Sequence, residues 1–433
     1  MKNEVKPNII RMKKLLIITI FTVFSIYGYS QTQRIDSLKE VIERHEGKIS
    51  ALDDRVLVNE ADLGKLNKIK ISGYVQSQWE LYNKDRVVTN EPNNTFYIRR
   101  ARIKFTYEAL DGVKFVLQPD FSTGNITLKD AYAVVNIPML KDWTVWAGQM
   151  NRPDYEVEYS SSQREVLERS KVIRAIYPGE REVGAKLEYV GSKTPLKFQL
   201  MVMNGNFNGP NAQTASASQN AKDIDSKKDI MARLVYSIKL PGAGLGIDLG
   251  PNVYFGGNRS KVNPYIINSM GVLDSVNTGD YLNKKWAGGE IQIFADLLGG
   301  LAIKGEYVTG TNSTPSTTAV AINAPVATKK SGASTIRNFS GYYLYFIKNI
   351  GPKNQLVVKY DYYDPNTKLK GDDAGSNVWF KTLTLAWQYY LNDFIRLSLN
   401  YEMPKYEVNA TRPDNYKDVT YGNTLGVRIQ AKF

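Results

Sequence analysis

The chain has 433 residues and a formal charge of +13, with 28 Tyr, 33 Gly, one His and no Cys. A tyrosine- and glycine-rich chain with a mildly hydrophilic average argues against a helical membrane bundle and for an all-β protein. Without Cys there is neither a disulfide framework nor a thiol nucleophile, and His45 is the only imidazole available as a base.

At the start, Lys13 and Lys14 precede an apolar run from Leu15 to Tyr27, followed by small Gly28 and Ser30 before Gln31. This pattern predicts a cleaved secretory signal peptide over 1–30, with Met12 as a second candidate start. The run is short for a spanning helix, which needs about 20 residues. Removing 1–30 takes away five Lys or Arg and one Glu, so +13 becomes +9. No later stretch approaches 18 consecutive apolar residues, so membrane embedding would require a β-barrel.

Heptads follow over 35–66, within a stem segment of 31–68. Ile35, Ile42, Ile49, Val56 and Leu63 fall at one core position, and Leu38, His45, Leu52, Asn59 and Leu66 at the other. Ser37 and Glu40 have capping-box spacing. So narrow an apolar stripe is buried by copies of itself, which predicts a periplasmic coiled-coil stem that oligomerises. Isoleucine and leucine placement leans towards a dimer, while His45 and Asn59 can set another register and strand number. A single helix or frayed linker is the alternative, given Gly47 and Gly64.

From Ile69 the period becomes two, with Ile69, Ile71, Val75, Trp79 and Leu81 alternating with polar residues. Sixteen such segments run from 69–82 to 422–433. Tight turns, such as 110–112, 241–244, 351–354 and 392–393, follow even segments. Longer stretches, such as 151–181, 205–228, 257–284 and 310–338, follow odd ones. An even strand count with short turns at one end and long loops at the other predicts a 16-stranded antiparallel transmembrane β-barrel over 69–433. Both ends of the barrel then lie on the periplasmic side. Ile395, Leu397, Leu399 and Tyr401 face lipid in this reading, with Arg396, Ser398, Asn400 and Glu402 in the lumen. Tyr74, Trp79, Tyr107, Trp143, Tyr189, Tyr307, Trp387, Tyr389 and Tyr401 would supply interfacial girdles. A soluble sandwich also alternates; the signal peptide, the loop asymmetry and terminal Phe433 count against it.

The charges on the inward faces set the functional question. Arg100, Arg102 and Lys104 share one face at intervals of about 7 Å. Either Glu80, Asp120 or Glu108 neutralises this ladder within the wall, or passing anions supply the missing charge. The third long loop, with a helix expected around 163–173, carries Arg152, Arg164, Arg169, Lys171, Arg174 and Arg181 against Glu165, Glu168, Glu180 and Glu182. Strand parity adds Lys186, Arg233, Lys304, Lys359, Arg396 and Arg428 to the inward cations. Trp146, Tyr132, Tyr342 and Tyr363 could instead form a stacking track for a sugar. Neither a metal-ligand cluster nor a cofactor or nucleic-acid motif stands out; an Asp or Glu dyad would be the one route to enzymatic chemistry, and no spacing picks one out.

The segments "FYIRRARIKFTYEALDGVKFVLQPDFS", "LKDAYAVVN", "WAGQMNRPDYEVEYSSS", "LERSKVIRAIYPGEREVG" and "VVKYDYYDPN" resemble the phosphate-selective porin O and P family. The resemblance covers about Ile69 to Phe433. It implies a sixteen-stranded barrel, usually trimeric, whose lumenal arginines and lysines conduct small anions, phosphate or polyphosphate among them, through the outer membrane. By it, Arg100 and Arg102 match the arginine-rich strand, and Arg169 and Arg181 the third-loop pattern; Glu182 stands where the family commonly has Asp. Phe433 similarly resembles the C-terminal signal read by barrel assembly machinery. The expected partners are outer-membrane lipid and lipopolysaccharide, small anions and further copies of the chain, with a sugar or general diffusion pore as the alternative function.

Overall fold

The computed structural model describes residues 39–60, 68–83, 93–205 except 123 and 125, 226–260, 265–315 except 278, 334–409 except 376, and 422–433, with isolated positions 15, 16, 18, 19, 22 and 64. The signal-peptide cleavage region and the heptad residues Ile35, Leu38, Leu63 and Leu66 lie outside them.

Residues 39–60 form one continuous helix, α1, that runs through Gly47. Ile42, Ile49, Leu52 and Val56 lie exposed along it.

The strands described between Ile69 and Lys432 form a closed antiparallel wall. Its first half is β1 (Ile69–Tyr82), β2 (Asn94–Leu110), β3 (Val113–Asp120), β4 (Thr127–Asn136), β5 (Trp143–Asn151), β6 (Arg181–Val190), β7 (Leu196–Met203), β8 (Asp229–Leu240) and β9 (Leu245–Arg259). After a two-strand excursion, β10 (Tyr265–Ile267) and β11 (Leu273–Ser275), the wall continues. It comprises β12 (Tyr281–Ala295), β13 (Leu301–Pro315), β14 (Ser334–Ile350), β15 (Asn354–Asp364), β16 (Phe380–Tyr390), β17 (Ile395–Tyr406) and β18 (Thr424–Lys432). β1 pairs antiparallel with β18 from Tyr74 opposite Lys432 to Tyr82 opposite Thr424, closing the ring. β9 pairs directly with β12, so the wall has sixteen strands. The short β10–β11 hairpin sits within the expected 257–284 loop, with β10 parallel to β14. Closure leaves no unpaired edge, which is what a hydrocarbon surround demands.

The faces alternate as their two surroundings require. Ile395, Leu399 and Tyr401 are exposed outside, while Arg396, Ser398 and Asn400 are buried inside. Two aromatic assignments are corrected. Tyr74, expected in a girdle, lies inside on the Gln76–Gln78 face, where its hydroxyl accepts from Arg102 Nη1 at 3.0 Å. Tyr342, expected inward, is exposed outside, and Tyr343 and Tyr345 turn inward in its place.

The connection 152–180 folds into the barrel and carries two short helices, α2 (Tyr155–Glu158) and α3 (Lys171–Ile176). Val172, Ile173, Ile176 and Tyr177 pack in one apolar cluster with Tyr254, Trp286, Phe339, Tyr343 and Tyr363 from the wall. Burying each of these side chains contributes about 1.5–3 kcal/mol. Tyr254 stacks on Trp286 at 3.9 Å, and Trp286 Nε1 donates to the Tyr177 hydroxyl at 3.0 Å. The approach of α3 depends on Gly341 of β14, where an added Cβ would come within 2.6 Å of Val172 Cβ. The lumen is therefore divided. An apolar wall grips the inserted segment, and the opposite side, led by β1 to β5, keeps its polar cavities.

Candidate pore constriction

Local chemistry explains the shape of the inserted segment. Asp154 caps α2, its Oδ1 accepting the Val157 N–H at 3.1 Å. Glu156 accepts from the Ser170 hydroxyl at 2.6 Å and from the Tyr345 hydroxyl at 2.7 Å, tying both ends of the segment to β14. The helix expected around 163–173 does not form; helical turns lie on either side of 159–170. Side chains there are drawn to different walls. Glu165 pairs with Lys304 of β13, and Glu168 pairs with Arg99 of β2 and Arg428 of β18. One helical face cannot serve both directions, so tertiary pairing overrides the local preference.

Two cavities adjoin this segment. One, of about 760 Å³, is lined by seven cations and five carboxylates; the other, of about 370 Å³, by six cations and three carboxylates. Arg102 and Arg169 line both, so these two guanidiniums stand between the cavities.

Most of the nine expected pathway cations have partners. Arg100 Nη1 donates to Gln76 Oε1 at 3.0 Å, and its Nη2 lies 3.9 Å from Glu168 Oε2. Arg102 pairs with Asp120 at 2.7 Å. Arg181 pairs with Asp130 at 3.0 Å and Glu180 at 2.6 Å. Arg169 pairs with Glu180 and is held by the carbonyls of Glu156 and Val157 at 2.6 and 3.0 Å. Lys186 lies 3.4 Å from Glu188 and 3.9 Å over the Trp146 ring. Arg233, bidentate on Glu290 at 2.7 Å, Arg396, bonded to Gln430, and Arg428, bonded to Gln78 and Glu168, line neither cavity. Lys104 is different. It lines the smaller cavity, and its ammonium has no hydrogen bond or ion pair among the described residues.

Lys129 and Arg174 share that condition beside the larger cavity, and Arg99 joins them there with Glu168 as its partner. Strict alternation misses Arg99, because Phe96 and Ile98 face out before it while Arg100 and Arg102 are buried after it. The alternation slips by one, and Arg99 and Arg100 both reach the lumen. Lys129 sits where the β3–β4 register shifts, opposite Gln118 and Pro119. Proline cannot donate to the ladder, so it favours a bulge, and a bulge re-aims the extra residue. Pro119 was the readable signal for Lys129.

Burial opposes ionisation of Glu168, but the guanidiniums of Arg99, Arg100 and Arg428 outweigh it and hold its carboxyl well below the usual range. Glu168 is thus a fixed anion that neutralises part of the arginine wall.

A closed sixteen-stranded antiparallel barrel with an apolar exterior, a charged lumen and an inserted loop defines an outer-membrane channel of the porin type. Residues 69–259 match the family model described as phosphate-selective porin O and P, so the resemblance drawn from the arginine-rich strand and the third loop holds over that span. Among solved structures, the fold is similar to an anion-selective porin from Comamonas acidovorans (11% identity, 84% of this chain and 99% of that one, TM-score 0.51). It is similar also to the outer-membrane channel DcaP of Acinetobacter baumannii (12%, 84% and 97%, TM-score 0.52) and to Salmonella typhi OmpF (11%, 84% and 97%, TM-score 0.53). No curated protein matches the sequence. The family match and the barrel place the chain in the bacterial outer membrane.

Proposed function

We propose that this channel conducts small anions passively, with inorganic phosphate or polyphosphate as candidate solutes. The observation that carries this is the charge on the two cavities: eleven cations and eight carboxylates line them together, and Lys104, Lys129 and Arg174 lack a partner among the described residues. Fixed positive charge in a low-dielectric passage raises the local concentration of anions and repels cations. Arg102 and Arg169, between the cavities, are the proposed filter, with Arg100 and Arg181 beside them. Lys186 acts as a wall charge, and Arg233, Arg396 and Arg428 set a more distant field. The match to a family described as phosphate-selective supports the choice of solute.

The proposed assembly is a homotrimer in which the exposed Ile42, Ile49, Leu52 and Val56 of α1 pack against other copies. Export would use residues 1–30 as a signal peptide, and outer-membrane lipid and lipopolysaccharide would surround the barrel. Planar-bilayer recordings of the purified channel under a potassium chloride gradient test the anion reading. The expected reversal potential favours chloride, and added phosphate reduces the chloride current. A reversal potential at zero or of cation sign rejects it.

A sugar pore is the second reading, supported by Tyr132 and Trp146, which stand 5.0 Å apart on the wall of the smaller cavity. Lys186 already occupies one face of Trp146, which disfavours stacking there.

A further inference from the structure

On the outer face of the barrel, Lys381 of β16 and Lys405 of β17 stand directly opposite each other in the antiparallel register. Both point outward. Phe380 and Tyr406, on the other parity, are buried inside, while Lys405 is exposed and Lys381 half-buried. Like charges at facing positions, with Cβ atoms about 4.5–5.5 Å apart, destabilise a sheet. Elsewhere the outer wall answers charge with charge: Glu108 of β2 faces Lys114 of β3, and the two pair at 2.7 Å. Here lysine faces lysine. Among the described residues Lys381 has ring contacts alone, 4.5 Å from the Trp379 centroid and 5.8 Å from that of Tyr362, and Lys405 has no hydrogen bond or ion pair. The carboxylates of Asp364 and Glu407, near the same rim, are turned to other groups. Asp364 accepts the Asn366 N–H at 3.0 Å and the Tyr362 hydroxyl at 3.4 Å, and Glu407 accepts the Gly371 N–H at 2.7 Å.

Topology fixes the height of the pair. A short turn over 391–394 joins β16 to β17 at the periplasmic end, so Lys381 and Lys405 lie at the opposite, extracellular end. Below them the outward positions are apolar, with Leu383 opposite Met403 and Leu385 opposite Tyr401. Lys381 stands two residues, about 7 Å, beyond Leu383. Rings mark the boundary at this level. Outside the wall, Tyr342 lies 5.5 Å from Tyr362 and 6.1 Å from Tyr360, forming an aromatic shelf beside Trp379 and the lysines. Aromatic side chains collect where hydrocarbon gives way to headgroups. The two ammoniums are therefore at the depth where the outer leaflet carries its phosphates.

We propose that Lys381 and Lys405 form a binding site for the phosphate of an outer-leaflet lipid, the phosphorylated glycolipid headgroup of lipopolysaccharide. One phosphate between the ammoniums removes the repulsion across β16 and β17 and accepts charge-assisted hydrogen bonds from both. The aromatic shelf lies against the sugar and the first acyl carbons. A free phosphate would meet the same two charges, but the shelf and the leucines below it favour a ligand with an apolar part. This site rests on the membrane placement of the barrel and is independent of the solute that the lumen conducts.

The test measures binding of phosphorylated lipid A to the purified channel in detergent. Wild type is compared with Lys381→Gln plus Lys405→Gln and with Lys381→Arg plus Lys405→Arg; dephosphorylated lipid A and inorganic phosphate are the comparison probes. Circular dichroism verifies the barrel, and should the double variant not fold, Lys405→Gln alone, at an exposed position, takes its place. The double Gln variant should bind phosphorylated lipid A about tenfold more weakly, and Lys405→Gln about threefold, with the Arg variant near wild type. Dephosphorylated lipid A should bind wild type and the Gln variants alike, and inorganic phosphate should not displace the bound lipid. Equal affinity of wild type and folded Gln variants for phosphorylated lipid A overturns the proposal. An equal loss of affinity for the dephosphorylated lipid assigns the contact to the apolar shelf, and displacement by inorganic phosphate makes it a site for a free anion; either result overturns it too.

Discussion

Arg102 Nε donates to Asp120 Oδ2 at 2.7 Å, and the two residues stand directly opposite each other in the β2–β3 register. The middle rung of the arginine ladder is thus neutralised inside the wall, while Lys104, two residues along, has no partner among the described residues. The two cations should fail differently. Removing one member of a buried pair leaves an uncompensated charge, so Arg102→Ala should lose about 3–5 kcal/mol. Lys104→Ala should leave stability unchanged within about 0.5 kcal/mol and lower the anion-to-cation permeability ratio about twofold, as loss of one fixed lumenal charge implies. Urea unfolding in lipid vesicles and bilayer reversal potentials measure the two effects. Equal stability losses in both variants would refute this division of labour.

Seating of the inserted segment rests on one missing methyl group. Gly341 admits Val172 so closely that any Cβ at that position collides with it. Gly341→Val should push α3 off the apolar cluster while leaving the outward faces of β14 intact. The expected result is a folded barrel with noisier current and larger mean conductance, because the segment that narrows the lumen loses its grip. Gly426→Ala offers a second case, since its Cβ would meet Leu167 Cδ1 at 2.5 Å, the far end of a flexible side chain. A milder effect is expected there. Quiet wild-type currents in Gly341→Val would show that α3 is anchored by its other contacts.

The wall was readable because lipid and lumen impose one rule on every strand, and period two survives in Ile395 to Glu402 and in Ile69 to Leu81 alike. The matching alternation of loop lengths carried the topology, down to β8, whose ends the sequence pattern places at 229 and 240 as observed. The site was less readable wherever that rule breaks. Arg99 enters the lumen through a slip of alternation, and Lys129 through a bulge beside Pro119, both of which depend on cross-strand register. The ion pairs were harder still. Glu168 meets Arg428 across 260 residues, and no local pattern links them. Tyr74 shows the opposite kind of error: its parity already placed it inside with Gln76, but its aromatic character suggested a girdle.

The α2 cap responds to pH. Burial pushes the Asp154 carboxyl up to about 7, and hydrogen bonds with Glu306 and the Val157 N–H only partly offset this. The groups facing it are Glu306 of β13, Glu290 of β12 and Arg233 of β8, with Tyr177 from the inserted segment. A carboxyl whose folded pKa lies above its unfolded value near 4 binds its proton more tightly when folded. Stability from this group is therefore complete below about pH 4 and declines as pH rises to about 7, where Asp154 takes on charge in a buried site. Amide exchange over 154–158 should accelerate between pH 5 and pH 9 beyond its intrinsic base dependence. Asp154→Asn, which keeps a good cap without the charge, should remove that excess. An unchanged excess in Asp154→Asn would assign the pH response to another group.

Phe433 and Gly73 close the barrel seam as a reciprocal pair. Each backbone N–H donates to the other's carbonyl at 3.0 Å, and the Phe433 ring lies where a Gly73 side chain would be, with Cζ 2.6 Å from the position of an added Cβ. The terminal aromatic therefore has a structural task at the rim in addition to the proposed role as an assembly signal. The two tasks can be separated. Gly73→Val leaves the C-terminal sequence untouched and forces the ring out of its place, while also pressing on the Arg102 carbonyl oxygen, 2.6 Å from the added Cβ; Phe433→Ala removes both the anchor and the signal. If the rim contact matters for stability, both variants lower the urea midpoint of the assembled barrel, the overpacked Gly73→Val by an unfolding free energy of about 1–3 kcal/mol. If the signal matters for assembly, only Phe433→Ala lowers the amount of barrel reaching the outer membrane. Normal yield and normal stability in Phe433→Ala would remove both tasks, and the strict alternation leading into the last residue would then reflect only the lipid-facing requirement on β18.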